Sequence, residues 1–446
     1  MKALALVDGE HYPPVTRWGI ATARTMGHEV IAAILVGGVE KLGAGEVPDL
    51  GVPVRATGGD AMEALAGAID DLGPEAVLDL SDEPVLGYRE RMELVAVALV
   101  RGVPYLGADF RLDPPIAGPP VPTPTVAVIG TGKRTGKTAI AGEVARTAAR
   151  SGRNPVVVAM GRGGPPEPEV AEAGTVTVDR LLDLVRQGRH AASDYLEDAV
   201  TTGVTTVGAR RAGGGLAGAP FASNVREAAE LAVELGAGLV VLEGSGSAVP
   251  PVPWDAGVLV VPASVPPEYL GGYLGPFRLL LSDLVVVTMG RSPAGLENLP
   301  ALRSHVQRLR DDARLIVTDF VPHPLGDVRG ADVFFTTTAP GPVAERQIGH
   351  LEEVHGCRVV GLSARLADRA GLAEDLDGAE SYDVLLTELK AAAVDIACGR
   401  ALARGAGVVF CDNRAVVVEG DADLPALVEE TIALAERRHE RRHEDR

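Results

Sequence analysis

The chain has 446 residues, 46% of them hydrophobic and 23% charged, with a formal net charge of −19 and three cysteines. This is enough chain for two or three domains with their own cores, and the composition is that of an ordered globular protein. The acidic balance opposes loose binding to nucleic acid or anionic membranes, no apolar run reaches the ~18 residues of a membrane span, and residues 1–7 are too short for a signal peptide. A cytoplasmic protein with buried, reduced thiols at Cys357, Cys398 and Cys411 is expected.

The chain opens on strand Lys2–Val7, a helix from about Thr16, strand Val30–Val36, a helix near Ala61–Asp71, strand Ala76–Leu80 and helix Tyr88–Val100. That alternation predicts an open α/β domain over residues 1–112. The first strand runs into Asp8-Gly9-Glu10-His11-Tyr12-Pro13-Pro14, so the G-x-G-x-x-G of a dinucleotide fold is missing. Asp8, Glu10 and His11, with Asp79, Ser81, Asp82 and Glu83, stand at strand ends where such sheets bind ligands. Helix caps and turns account for the same residue types, and are the preferred reading for Ser81 and Asp82. Residues 113–124 hold six prolines (Pro114, Pro115, Pro119, Pro120, Pro122 and Pro124), an extended linker that is neither helix nor central strand.

After the linker, strand Thr125–Ile129 enters the loop Gly130-Thr131-Gly132-Lys133-Arg134-Thr135-Gly136-Lys137-Thr138. Strand, glycine-rich loop, Gly-Lys-Thr and helix together make a nucleotide phosphate site. Its glycines turn backbone N–H groups toward an anion, Lys137 reaches the β/γ-phosphates, and the Thr138 hydroxyl is placed for Mg²⁺. The first glycine comes one residue earlier than in the commonest spacing, as in dethiobiotin synthetase and its relatives. The signature-lysine position of another ATPase branch is Gly132, with Lys133 one step away. Only five lysines are present (Lys2, Lys41, Lys133, Lys137 and Lys390) among 42 basic residues, so two in one loop carry weight.

Strand Pro155–Met160 leads to Gly161-Arg162-Gly163-Gly164-Pro165, and Arg210-Arg211 precede Gly213-Gly214-Gly215-Leu216-Ala217-Gly218, a segment suited to a mobile lid. In a chain this acidic, polyanions need local positive charge, which makes Arg162, Arg210 and Arg211 the candidate substrate ligands. Strand Leu239–Leu242 ends at Glu243 and then Gly244-Ser245-Gly246, the acid that accompanies a P-loop and reaches its Mg²⁺. Later strands (Val258–Val261, Leu284–Thr288, Leu315–Thr318, Val333–Thr336) alternate with helical stretches such as Glu297–Leu309 and Val343–Val354. A P-loop domain over 125–330 with a mostly parallel sheet follows, and 331–446 either extends it or forms a further α/β unit. The run Glu436–Glu444 is expected to prolong the last helix into solvent with i,i+4 ion pairs.

Across nearly its whole length the chain resembles the cyclic 2,3-diphosphoglycerate synthetase family. The likeness is carried by Asp8-Gly-Glu-His-Tyr-Pro13, Asp79-Leu-Ser-Asp-Glu-Pro84, the loop Gly130–Thr138, Met160-Gly-Arg-Gly-Gly-Pro165, Ser193-Asp-Tyr-Leu-Glu-Asp198, Arg210-Arg211, Glu243-Gly-Ser-Gly-Ser247 and Cys411-Asp-Asn-Arg414. The resemblance implies ATP-driven closure of an anhydride between the two phosphates of 2,3-bisphosphoglycerate. On that chemistry Lys137 and Lys133 would cover the transferring phosphoryl, Mg²⁺ on Thr138 and Glu243 would bridge ATP oxygens, and the three arginines would hold the substrate phosphates. The partners expected are small anions only, and a homodimer stays open. From the residues alone two rivals also stay open: another P-loop kinase or ligase acting on a small acid, and a P-loop ATPase switch without metabolic chemistry.

Overall fold

A computed structural model describes residues 1–38, 47–56, 59–420 and 423–444; Lys41 lies outside them. The N-terminal sheet comprises β1 (Lys2–Val7), β2 (Glu29–Leu35), β3 (Val54–Ala56), β4 (Ala76–Asp79), β5 (Tyr105–Leu106) and β6 (Arg111–Leu112), in the order β3-β2-β1-β4-β5-β6. All neighbours are parallel except β5 and β6. Strands β1 and β4 are almost wholly buried, as unbroken apolar runs require when helices cover both faces. The first helix, Pro13–Thr25, starts three residues ahead of Thr16. Pro13 and Pro14 occupy its first turn, where a missing N–H costs no intrahelical bond.

Residues 113–124 contain neither helix nor strand. They lie along the next unit, with Val121 buried in its core and the Ala117 carbonyl accepting from Arg226 at 2.9 Å.

The second sheet contains β7 (Thr125–Gly130), β8 (Pro155–Gly161), β9 (Glu169–Ala171), β10 (Thr206–Ala212), β11 (Ala222–Ser223), β12 (Leu239–Glu243), β13 (Ala256–Pro262), β14 (Leu284–Thr288), β15 (Arg314–Pro324), β16 (Asp332–Thr336), β17 (Arg358–Ser363), β18 (Val384–Glu388) and β19 (Gly407–Glu419). Its order is β11-β10-β8-β12-β7-β13-β14-β15-β19-β18-β16-β17, with β9 paired to β10. Residues beyond 330 thus continue the sheet of the P-loop strand.

The turning point is the antiparallel pair β15/β19, in register from Val317 opposite Glu419 to Pro324 opposite Cys411. Residues 319–324 of β15 overhang the end of β14 and lie against residues 411–416 of β19, and β18 pairs with the stretch of β19 just before that, residues 407–411. Strands β19, β18, β16 and β17 are parallel to one another and antiparallel to β15, so they run back toward the carboxyl edge of the first half. The two halves therefore meet carboxyl edge to carboxyl edge.

Two expectations change. The glycine-rich segment after Arg211 is the tip of the β10/β11 hairpin, not a free lid: Ala217 is buried against the core of the N-terminal domain, and the Val249 amide donates to the Gly218 carbonyl at 2.9 Å. The basic C-terminal run does not rely on i,i+4 pairs. Helix Leu424–Glu444 packs along helix Lys137–Arg150, and Arg438 and Arg442 pair with Asp283 and Asp255, acids at the starts of β14 and β13. Two acids at one sheet edge draw the cations inward more strongly than solvent-exposed neighbours on the helix would. No helix among the described residues is long and apolar enough to cross a membrane.

Candidate active site

The glycine-rich loop joins β7, at the centre of the parallel half-sheet, to helix Lys137–Arg150. Gly130 and Gly136 are dictated by space. A Cβ at 130 would stand 2.9 Å from Thr135 Oγ1 and 3.0 Å from Lys137 Cδ, and one at 136, where φ is +91°, would stand 2.3 Å from the Phe320 ring. No side chain caps the helix N-terminus, so its first amides face an incoming anion. The Thr131 amide reaches the Val260 carbonyl at 3.4 Å, and Thr288 donates to the Thr135 carbonyl at 2.8 Å, pinning the loop to β13 and β14. Arg134 stands exposed in left-handed backbone at the loop's outer turn.

Lys137 is buried and folded back on the loop, donating to the Gly132 carbonyl at 2.7 Å and to Thr135 Oγ1 at 3.1 Å. Burial pulls its pKa down to about 8. Thr138 Oγ1 donates to Glu243 Oε1 at 2.7 Å, so the residues assigned to Mg²⁺ touch. Glu243 closes β12, is buried, and is pushed up to about 7, first by desolvation and then by Asp194.

Sequence reasoning gave no role to Asp194 and Asp198, on the helix Asp194–Thr202. Asp198 is fully buried against Glu243 and neither of its oxygens accepts a hydrogen bond. Burial and Glu243 hold its carboxyl well above the usual range. Asp194 is raised by burial and opposed by Arg162, Lys137, Lys390 and His190. Their signal was the spacing: 194, 197 and 198 are i, i+3 and i+4, one face of a helix carrying three acids.

Arg211 donates to the Ser245 carbonyl at 2.9 Å and the Gly213 carbonyl at 2.6 Å, with its Nε unpartnered and buried. Its Nη2 and the Lys133 side chain both border Gly246, in the loop after Glu243, and Arg162 presses on Arg211 electrostatically. Lys133 and Arg162 are exposed. Arg210 goes elsewhere. Consecutive strand residues leave opposite faces, and Arg210 Nε donates to the Gly164 and Pro165 carbonyls at 3.2 and 2.8 Å, bracing the loop after β8. In the N-terminal domain, Asp8 accepts from the amides of Glu10, His11 and Asp82 and from His11 Nδ1, a clasp between strand ends.

The donor set suits a magnesium ion. Acids crowded in a buried site without enough donors are stabilised by a cation, and Mg²⁺ takes one or two protein oxygens and completes its shell with phosphates and water. Among the described residues no three His, Cys, Asp or Glu side chains converge as a ready-made metal cage.

The crowding predicts a pH effect. Because the folded-state pKa of Asp198 is raised, the folded protein binds more protons than the unfolded chain from the ordinary carboxylate range upward. Stability is lost as pH rises through the raised value. Asp198→Asn should therefore raise the melting temperature of the nucleotide-free protein by several degrees at pH 8 and by much less at pH 5. Equal shifts at both pH values in calorimetry would mean that Asp198 is ionised without penalty.

Family models described as cyclic 2,3-diphosphoglycerate synthetase match the chain in three segments: an N-terminal domain over residues 2–113, a P-loop domain over 125–319 and a C-terminal domain over 324–414. Among the relatives it matches, the cyclic 2,3-diphosphoglycerate synthetase of Rubrobacter xylanophilus is 50% identical over 96% of this chain and 97% of its own. That of Methanothermobacter thermautotrophicus is 42% identical over 97% of this chain and 96% of its own, and that of Methanothermus fervidus 40% identical over 97% of each.

Proposed function

The chain belongs to the cyclic 2,3-diphosphoglycerate synthetase family, and from this membership and the site geometry we propose that it closes an intramolecular phosphoanhydride in 2,3-bisphosphoglycerate at the expense of ATP. The products are cyclic 2,3-diphosphoglycerate, ADP and phosphate. The observation that carries the reading is the meeting of Lys137, Thr138 and Glu243 with Arg162 and Arg211 at one carboxyl edge.

Anhydride closure is uphill, so one substrate phosphate first takes the γ-phosphoryl of ATP, releasing ADP. An oxygen of the neighbouring phosphate then attacks the phosphorus of the activated phosphate, and the transferred group leaves as inorganic phosphate. That second step is intramolecular and gains from proximity. A phosphate nucleophile needs no general base, so the protein's work is positioning and charge neutralisation. Lys137 and the helix amides hold the β/γ-phosphates, and Lys133 covers the transferring group from the loop's exposed side. Thr138 and Glu243 would hold Mg²⁺, which when bound neutralises charge on the nucleotide oxygens.

With ATP, Mg²⁺ and 2,3-bisphosphoglycerate, ³¹P NMR should show monoester signals replaced by upfield anhydride signals, with one phosphate released per ADP. ATP turnover that leaves the bisphosphoglycerate signals unchanged would remove the substrate assignment and leave an ATPase.

Arg210, although assigned with Arg211 to the substrate, is occupied with the loop after β8. Arg211→Ala should weaken 2,3-bisphosphoglycerate by about 10- to 150-fold, the cost of a lost charge-assisted contact of ~1.5–3 kcal/mol, with ATP affinity little changed. Arg210→Ala should have the smaller effect on substrate. Isothermal titration in which ATP suffers as much as substrate in the Arg211 variant would move that arginine to the nucleotide site.

A further inference from the structure

Open α/β sheets bind ligands at strand carboxyl ends, and here two such edges face one another. On the first stand the P-loop and Glu243; on the second, brought round by β15/β19, stand the ends of β16 and β18. Helix Asp194–Thr202 touches both, with Asp198 against Glu243 and Glu197 Oε1 3.3 Å from Lys390 Nζ. Lys390 follows β18 by two residues and precedes Ala391, a non-glycine residue in left-handed backbone (φ +47°). Backbone of this kind persists where its surroundings over-determine it, and it gathers at ligand sites.

The bonding around Lys390 leaves capacity for a ligand. Its acidic neighbour Glu388 is already served by Thr337 Oγ1 at 2.7 Å, the Thr338 amide at 3.1 Å, Thr338 Oγ1 at 2.7 Å and Asn413 Nδ2 at 3.0 Å. Among the described residues the Lys390 ammonium has the Glu197 contact alone, and an ammonium carries three protons to donate. Against burial, Glu197 and Glu388 hold the Lys390 ammonium in its charged form, ready for an anion. The Lys390 side chain keeps 36% of its surface exposed. Asp194, one turn before Glu197 on the same helix, feels the charges of Arg162, Lys137 and Lys390 together. Elsewhere the buried acids are paired by arginine, as Asp79 by Arg91, Asp412 by Arg146, Glu93 by Arg308 and Asp283 by Arg438. A compact ammonium here suits point contact with a phosphate oxygen in a way that a planar guanidinium does not.

We propose that Lys390, supplied from the C-terminal half of the sheet, is a substrate ligand that holds one phosphate of the bisphosphorylated acid while the other faces the P-loop. The proposal rests on the function given above and adds that the C-terminal half completes the site. It also accounts for the sheet's turn at β15/β19, which brings a second strand-end edge, bearing Lys390, to a substrate with two phosphates.

The test compares Lys390→Met with Lys390→Met/Glu197→Gln by steady-state kinetics and isothermal titration with 2,3-bisphosphoglycerate and with ATP. The single variant should raise KM for bisphosphoglycerate by about 10- to 150-fold and leave KM for ATP within ~2-fold. The double variant, which removes the buried acid along with its partner, should stay as weak for bisphosphoglycerate while melting like the wild type. Recovery of bisphosphoglycerate affinity in the double variant would overturn the proposal, because Lys390 would then serve only to neutralise Glu197. So would an unchanged KM for bisphosphoglycerate, or an equal loss for ATP, in a protein whose wild type makes the cyclic product. A wild-type protein that neither binds nor converts bisphosphoglycerate overturns the proposed function as well.

Discussion

Lys137→Ala is expected to lower ATP turnover by roughly 10³-fold, with or without bisphosphoglycerate. In the nucleotide-free protein the ammonium is buried, tied to the Gly132 carbonyl and Thr135 Oγ1, and burial depresses its pKa to about 8. A charged phosphate beside it favours the protonated form and reverses that depression. Its strongest interaction is therefore with the charge that builds on the transferring phosphoryl, and removing it costs chemistry more than folding. Lys137→Arg should fail almost as completely. Gly130 and Thr135 enclose the side chain so closely that even a single carbon added at 130 would come within 3.0 Å of Lys137 Cδ, which leaves no room for a planar fork. Single-turnover kinetics with either variant checks this; retention of more than about a tenth of wild-type phosphoryl transfer would assign the charge-stabilising role to Lys133.

What was legible in the sequence was what is local. The loop 130–138 announces itself because strand, glycines, Lys-Thr and helix are contiguous, and Glu243 because an apolar strand ends on a single acid. The three family models, each matching its own segment, agree with the resemblance read from scattered motifs. Illegible were contacts made by folding over distance. Nothing near Lys390 in the chain says that β18 will be turned to face the P-loop, since that depends on the overhang of β15 and the register of β19. Asp194 and Asp198 could have been flagged by their shared helix face, yet only the packed structure shows that this face is buried against Glu243. Adjacency misled at Arg210 and Arg211. Neighbours in sequence look like a pair, and the strand alternation that separates them became visible only once β10 was seen to extend through both.

Glu243→Gln should lower phosphoryl transfer by roughly 100-fold or more while the fold is kept. The substitution conserves shape, and the amide oxygen can still accept from Thr138 Oγ1, now 2.7 Å from the carboxylate. The new amide N–H₂ can donate to the Asp198 carboxyl, which lies against Glu243 in the wild type. The nucleotide-free variant should therefore melt no lower than the wild type near neutral pH, where Glu243, with its pKa near 7, is partly forced to ionise inside the protein. What the variant loses is negative charge beside Thr138, and with it the electrostatic hold on Mg²⁺. Turnover followed against Mg²⁺ concentration should show a much weaker metal dependence midpoint together with a lowered plateau. ATP binding measured without metal should be unaffected or slightly tighter, because a like charge near the phosphates is gone. Near-normal turnover at saturating Mg²⁺ would pass the metal role to Asp194 or Asp198, and the decisive comparison would then be Asp194→Asn in the same titration.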